Sequence, residues 1–318
     1  MTHEPSHAAP DPSAVDDHES VYDGLLVGDS SQWAFGTDFE DPLAGVDTTV
    51  PEGVDATALA TYCLMLGDDA LVMSHRLSEW CSHAPDLEDD IAVANIALDL
   101  LGQARLLLAR AAAADPAVVP ALPDGSPVPA EDALAYFREA GGFRNVRLAE
   151  VPHGDFAHVV CRLLLFTVAR LEVFTRLARS LDPVLAAVAA KGVKELTYHR
   201  DYAARWTLRL GDGTDESHRR MQAALDTLWP YVGELFRTSD EELRLIEARV
   251  AVDPAETRAE VDAVFDEVLT KATLTRPDRP FIGTIGGRSG RQGVHTEHLG
   301  HALAEMQSLA RQHPDTTW

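Results

Sequence analysis

Residues 62–108, YCLMLGDDALVMSHRLSEWCSHAPDLEDDIAVANIALDLLGQARLLL, decide how the rest of the chain is read. Two long helices joined by a short turn at His83, Ala84 and Pro85 account for the stretch. The second is apolar on nearly every side, through Ile91, Ala94, Ile96, Ala97, Leu98, Leu100, Leu101, Leu106 and Leu107. A helix that is apolar all round is normally buried all round. Asn95, Asp99 and Gln103 nevertheless recur at i, i+4 and i+8 on one stripe. Buried polar groups without partners cost roughly 1–3 kcal/mol each. The nature of those partners separates a catalytic metal bundle from a scaffold.

Working outward, Asp55 is placed to cap a first helix over 56–82, and Asp86 precedes a second over 87–113. A Pro-rich connection at 115–130 leads to a short helix at 131–140. The segment FRNVRLAEVPHGD reads as irregular. A third long helix is expected from Asp155 to Ser180. Asp182-Pro183 then opens a fourth, which runs to Arg209. Further helices are expected from Asp215 to Phe236 with a break at Pro230, between Pro254 and Leu274, and over 294–312. The stretch GTIGGRSGRQG at 283–293 reads as a mobile loop. No strand pairs or repeats emerge. The fold class is all-α: a ferritin-like four-helix bundle with additional C-terminal helices. Three regions follow: a disordered tail at 1–20, an N-terminal arm at 21–54 and the helical domain at 55–318.

The chain has 318 residues, with 51 acidic against 27 basic ones and a net charge of −24. That charge argues against binding to nucleic acid or an anionic membrane. Cys63, Cys81 and Cys161 have no CxxC spacing, which fits reduced thiols in a cytoplasmic protein. The N-terminus lacks the pattern of a signal peptide. VVCRLLLFTVARLEVF comes nearest to a membrane span, but Arg162, Arg170 and Glu172 interrupt it.

A ferritin-like di-iron site needs a Glu from each of two helices and Glu-x-x-His from each of the other two. Asp69 and Asp99 lie where paired ligands are expected, but Gly102 stands three residues after Asp99. Glu195 is followed at that spacing by Tyr198, with His199 one residue late. The third helix offers Cys161 and Arg162 near its middle instead of Glu. Neither Glu-x-x-His motif is complete around Asp69, Asp99, Glu195 and His199, so a complete di-iron site is not expected and the three acids read as salt-bridged structural carboxylates. Lys191, Lys194, Arg76 and Arg162 are the cations available to buried acids, and Lys194 is the one expected in place of a metal. His75 and Glu79 at i, i+4 read as a structural pair. His295, Glu297 and His298 read as helix capping, because they lack a third ligand. Arg288 and Arg291 could meet an anion or an acidic partner, although their loop lacks the Lys-Ser/Thr ending of a phosphate-binding loop.

The run LGDDALVMSHRLSEWCSHAPDLEDDIAVANIALDLLGQARLLL resembles the C-subunit family of phenylacetyl-CoA epoxidase, the bacterial phenylacetate-degradation oxygenase. HGDFAHVVCR, VKELTYHRDYAARWTLRLGDGTDES, MQAALDTLWPYVGELF and GGRSGRQGVHTEHLGHALAEMQSLAR match as well, over roughly residues 56–318. The resemblance implies a cytoplasmic, multicomponent enzyme that epoxidises the ring of phenylacetyl-CoA with O2. It implies a di-iron A subunit as partner, other epoxidase subunits, and a reductase carrying NADPH, FAD and an iron–sulfur centre. This chain would be structural, without cofactor of its own. Asp68, Arg76, Glu79, Asn95, Gln103, Lys191 and Lys194, with Asp99, Glu195 and His199, would serve the polar core and the partner-facing surface. An autonomous ferritin-like oxygenase or hydroxylase is the alternative, and a ferritin-like binding protein outside this metabolism is a third.

Overall fold

Asp55 accepts a hydrogen bond from the Ala58 amide and starts α1 (Ala56–Ser78). Asp86 does the same through Asp89 and starts α2 (Leu87–Ala114), whose first turn carries three more acids at the positive end of the helix dipole. In this computed structural model, which describes Leu43 and residues 45–316, two short helices follow, α3 (Ala130–Tyr136) and α4 (Arg147–Glu150). Asp155 and His158 form a reciprocal capping box at the start of α5 (Phe156–Leu177). Asp182 and Pro183 open α6 (Pro183–Gly211), where the missing proline N–H falls among groups no helix bond would use. α1 lies along α2, α5 lies along α6, and α2 meets α6, giving the four-helix bundle. α7 (Asp215–Leu228), α8 (Asp240–Glu247), α9 (Arg258–Lys271) and α10 (Glu297–Gln312) are added around it. The described residues hold no strand, only one isolated bridge between Ile285 and Arg288. The fold is all-α and ferritin-like.

Several elements depart from the sequence-based expectation. The stretch read as irregular contains α4. The helix expected to reach Phe236 stops at Leu228, and Pro230 lies in a 3-10 run at Trp229–Phe236. α8 was not anticipated, although Ser239 and Glu242 form a reciprocal capping box at its start. α10 begins three residues later than expected, after Gly293 turns the chain at φ 75°. The 283–293 loop is not free. Arg291 ties it to Asp69 and to the Met65 and Arg144 carbonyls, and the Gly290 amide donates to Glu234. The Gly290 Cα sits so close to the Asn145 carbonyl that a Cβ there would lie 2.2 Å from its oxygen.

The tail at 1–20 and residues 21–42 of the arm lie outside the described residues. From Gly45 the chain is one unit. Residues 45–54 are non-helical, and Arg110 holds them through the Thr48 carbonyl. The same guanidinium pairs with the buried Asp182.

α1 and α2 are both long and apolar enough to cross a membrane by length and composition alone. Within their apolar windows α1 is 83% buried in the protein and α2 only 44%. The expectation that α2 is buried all round therefore fails. Leu87, Ile91, Leu98 and Leu101 point to solvent at 69%, 52%, 55% and 38% exposure. At 100° per residue they form one stripe, about 21 Å long from Leu87 to Leu101.

Candidate functional site

The centre of the bundle holds an arginine. Arg170 of α5 lies over the Phe174 ring, 4.3 Å from its centroid. Its guanidinium donates to the Leu66 carbonyl of α1 at 3.1 Å and to Gln103 Oε1 of α2 at 3.1 Å. Gln103 turns its Nε2 to Glu195 Oε2 of α6 at 2.9 Å. Lys191, one turn earlier on α6, stands 3.5 Å from Glu195 Oε1. One hydrogen-bonded chain thus crosses all four helices. Burial lowers the Arg170 pKa to about 10, which leaves it charged at neutral pH, with Asp69 favouring the charge. Burial pushes Glu195 upward, and Gln103 and Lys191 pull it part of the way back. Gly192 makes the packing possible, because a Cβ there would meet Phe174 at 2.7 Å.

A turn away, Asp99 accepts a hydrogen bond from His199 Nε2 at 2.9 Å. His199 is fully buried, whereas the Asp99 side chain is 39% exposed. Gly102 has open space around the position of a side chain, so sterics do not explain its lack of a ligand. Tyr198 points outward at 54% exposure.

The paired acids of α1 are engaged elsewhere. Asp68 is fully buried, pairs with Arg138 and accepts the Arg144 amide at 2.8 Å. Asp69 takes both Nη groups of Arg291, at 3.0 and 2.9 Å, and the Val146 amide at 2.8 Å. Burial opposes the charge on Arg291, but Asp69 and Glu242 outweigh it and hold its pKa up. Carboxylates saturated by guanidinium and amide donors have few lone pairs left for a metal.

Further along α1, Arg76 grips Glu79 at 2.8–2.9 Å and donates to the Glu150 and His298 carbonyls. His75 does not pair with Glu79. Its Nε2 is buried with no partner among the described residues, and burial lowers its pKa to about 4. Arg162 is fully buried and donates to His153 Nδ1 at 2.8 Å, and burial pulls the Arg162 pKa down to about 9. His153 donates in turn to the Arg76 carbonyl. His295 is bound to buried Glu150 at 2.8 Å and to the Phe143 carbonyl at 3.0 Å. Glu297 is exposed, and the Thr296 side chain makes no capping bond, so the capping expected of this motif is replaced by Glu150 holding the Thr296 amide.

Two residues assigned to the polar core do not belong there. Asn95 is exposed, because α2 turns that side of its stripe outward. Lys194 is exposed too, since it lies about 100° round α6 from Glu195, while Lys191 lies on the same face. The cations expected at Lys194 are Arg170 and Arg291 instead. Arg170 had a visible signal, an arginine amid the apolar residues of α5. Arg138, Glu150 and Glu234 had none, because Asp68, His295 and Arg147, which they bind, lie 70, 145 and 87 residues away. Cys63 and Cys161 are buried thiols and Cys81 is exposed, and none is in a disulfide among the described residues.

Tested against a di-iron centre, these residues do not fit. Among the described residues no three His, Cys, Asp or Glu side chains converge where they could hold a metal ion. Asp69 and Glu195 already have side-chain partners, and Asp99 has one histidine.

The sequence matches the family described as phenylacetic acid catabolic protein over residues 45–318. It is 44% identical over 260 residues to the C subunit of the 1,2-phenylacetyl-CoA epoxidase of Escherichia coli strain K12, covering 82% of this chain and 99% of that protein. The Asp-rich helical core described above is thus that of a member of the phenylacetic acid catabolic protein family, to which this chain belongs.

Proposed function

We propose that this chain is the structural, non-catalytic subunit of a cytoplasmic phenylacetyl-CoA epoxidase and stabilises the di-iron A subunit. Electrons would reach that partner from a reductase carrying NADPH, FAD and an iron–sulfur centre. The observation that carries the reading is the division of labour inside the bundle. The acids at metal-ligand positions are bound to arginine, glutamine and histidine, and α2 turns a leucine–isoleucine stripe outward. A solvent-facing apolar stripe of this length is typical of a surface buried on assembly. The similarity to the C subunit of an epoxidase supports the same reading.

Co-expression with the A-type subunit tests it. The expected result is a soluble complex, with iron recovered in the A subunit and turnover only when both are present. An A subunit equally soluble and active alone contradicts the proposal. So does stoichiometric iron in this chain purified by itself, which would favour the autonomous oxygenase.

A further inference from the structure

Arg291 anchors the 283–293 loop, and Arg288 takes no part in that anchoring. Arg288, Arg291 and Arg144 line a cavity of about 280 Å³ together with Thr61, Glu241 and Gln292. Every one of these side chains is polar. The volume falls below the ~300–1,000 Å³ typical of sites for drug-sized ligands, so the cavity suits a small polar group.

The charges around it do not cancel. Arg291 is committed to Asp69 and to the Met65 and Arg144 carbonyls. Glu241, the one acid in the lining, stands 3.8 Å from Arg244. Arg144 turns its Nη1 to the Gly141 and Phe143 carbonyls, and Arg288 turns its Nη2 to the Gln292 carbonyl. Neither Arg144 nor Arg288 is in an ion pair among the described residues. Gln292 uses its amide oxygen on Ser289, which leaves the Nε2 group as a donor. Arg144 is partly desolvated: burial lowers its pKa, the nearby Asp68 and Glu241 pull it part of the way back, and repulsion from Arg138 and Arg288 lowers it further. Two guanidinium groups thus face one space on a chain of net charge −24. An oxyanion between them would neutralise both and accept several charge-assisted hydrogen bonds.

We infer that this cavity binds a phosphate-class oxyanion, free or as part of a phosphoester, between Arg144 and Arg288. The test is calorimetric titration of the full chain with sodium phosphate, against sodium chloride at matched ionic strength. Arg144→Gln removes bonds to two carbonyls and can upset the fold, so the exposed Arg288→Gln carries the test. Phosphate should bind saturably, and Arg288→Gln should weaken it about tenfold, as expected for one charge-assisted contact. Parallel titrations with coenzyme A and its dephospho form distinguish the sources. Tighter binding of coenzyme A than of phosphate identifies a phosphoester, and equal or weaker binding identifies the free anion. Heat of binding no greater than in chloride overturns the inference, as does an Arg288→Gln variant that binds phosphate like the unaltered chain.

Discussion

α1 and α2 are neighbours with similar composition and opposite fates. α1 carries two adjacent aspartates in mid-helix and is buried almost throughout. α2 has the longer apolar pattern and leaves a face of leucine and isoleucine in solvent. The difference lies in partners. Asp68 and Asp69 are tolerated inside because Arg138, Arg291 and two backbone amides converge on them. No helix among the described residues covers the outer stripe of α2. Apolar character says that a surface avoids water, and the rest of the assembly decides where it is covered.

Breaking α1 should have the largest effect. Asp68→Ala leaves the Arg138 guanidinium buried without its carboxylate, and the chain should lose about 3–5 kcal/mol in urea unfolding. A loss under about 1 kcal/mol would mean that water reaches this pair. A paired truncation sharpens the contrast between the helices. Leu71→Ala on α1, at 2% exposure, should cost about 2–5 kcal/mol. Leu98→Ala on α2, at 55% exposure, should change the isolated chain by no more than about 0.5 kcal/mol.

Burial of α1 should also be visible in acid. His75 has a pKa of about 4 in the folded chain, against 6.5 for an ordinary histidine. Between those values the unfolded state takes up a proton that the native state does not. Stability is therefore intact above pH 6.5 and falls as the pH drops toward 4. The share of this loss due to His75 is about 2 kcal/mol at pH 5. His75→Gln should remove it, and urea midpoints at pH 7 and pH 5 give the comparison. The smallest effect belongs to Asn95→Ala, which should shift stability by less than about 0.5 kcal/mol, because the residue is exposed.

Much of the bundle was legible in the sequence because its signals are local. Asp55, Asp86 and Asp182 each stand just before a long apolar run, and each caps its helix. The departure from a metal-binding pattern was legible at Gly102 and Tyr198, since ligand spacing on a helix is also local. What fills the centre was not. Arg170 reaches Gln103 across 67 residues and Leu66 across 104, and no short-range pattern encodes either bond. The exposed stripe of α2 stayed hidden for a related reason. When apolar residues ring a helix, periodicity cannot say which side the core will take. Lys191 rather than Lys194 could have been chosen from i, i+4 geometry alone.

The claim that α2 presents a docking face is tested most directly by the double substitution Ile91→Glu with Leu98→Glu, in a chain co-expressed with the A-type subunit. The measurement is the yield of complex by size-exclusion chromatography, after thermal unfolding has confirmed that the variant folds. The account predicts a folded chain that elutes alone, with the A subunit lost from the complex. A folded double variant that still elutes with the A subunit at full yield would contradict it.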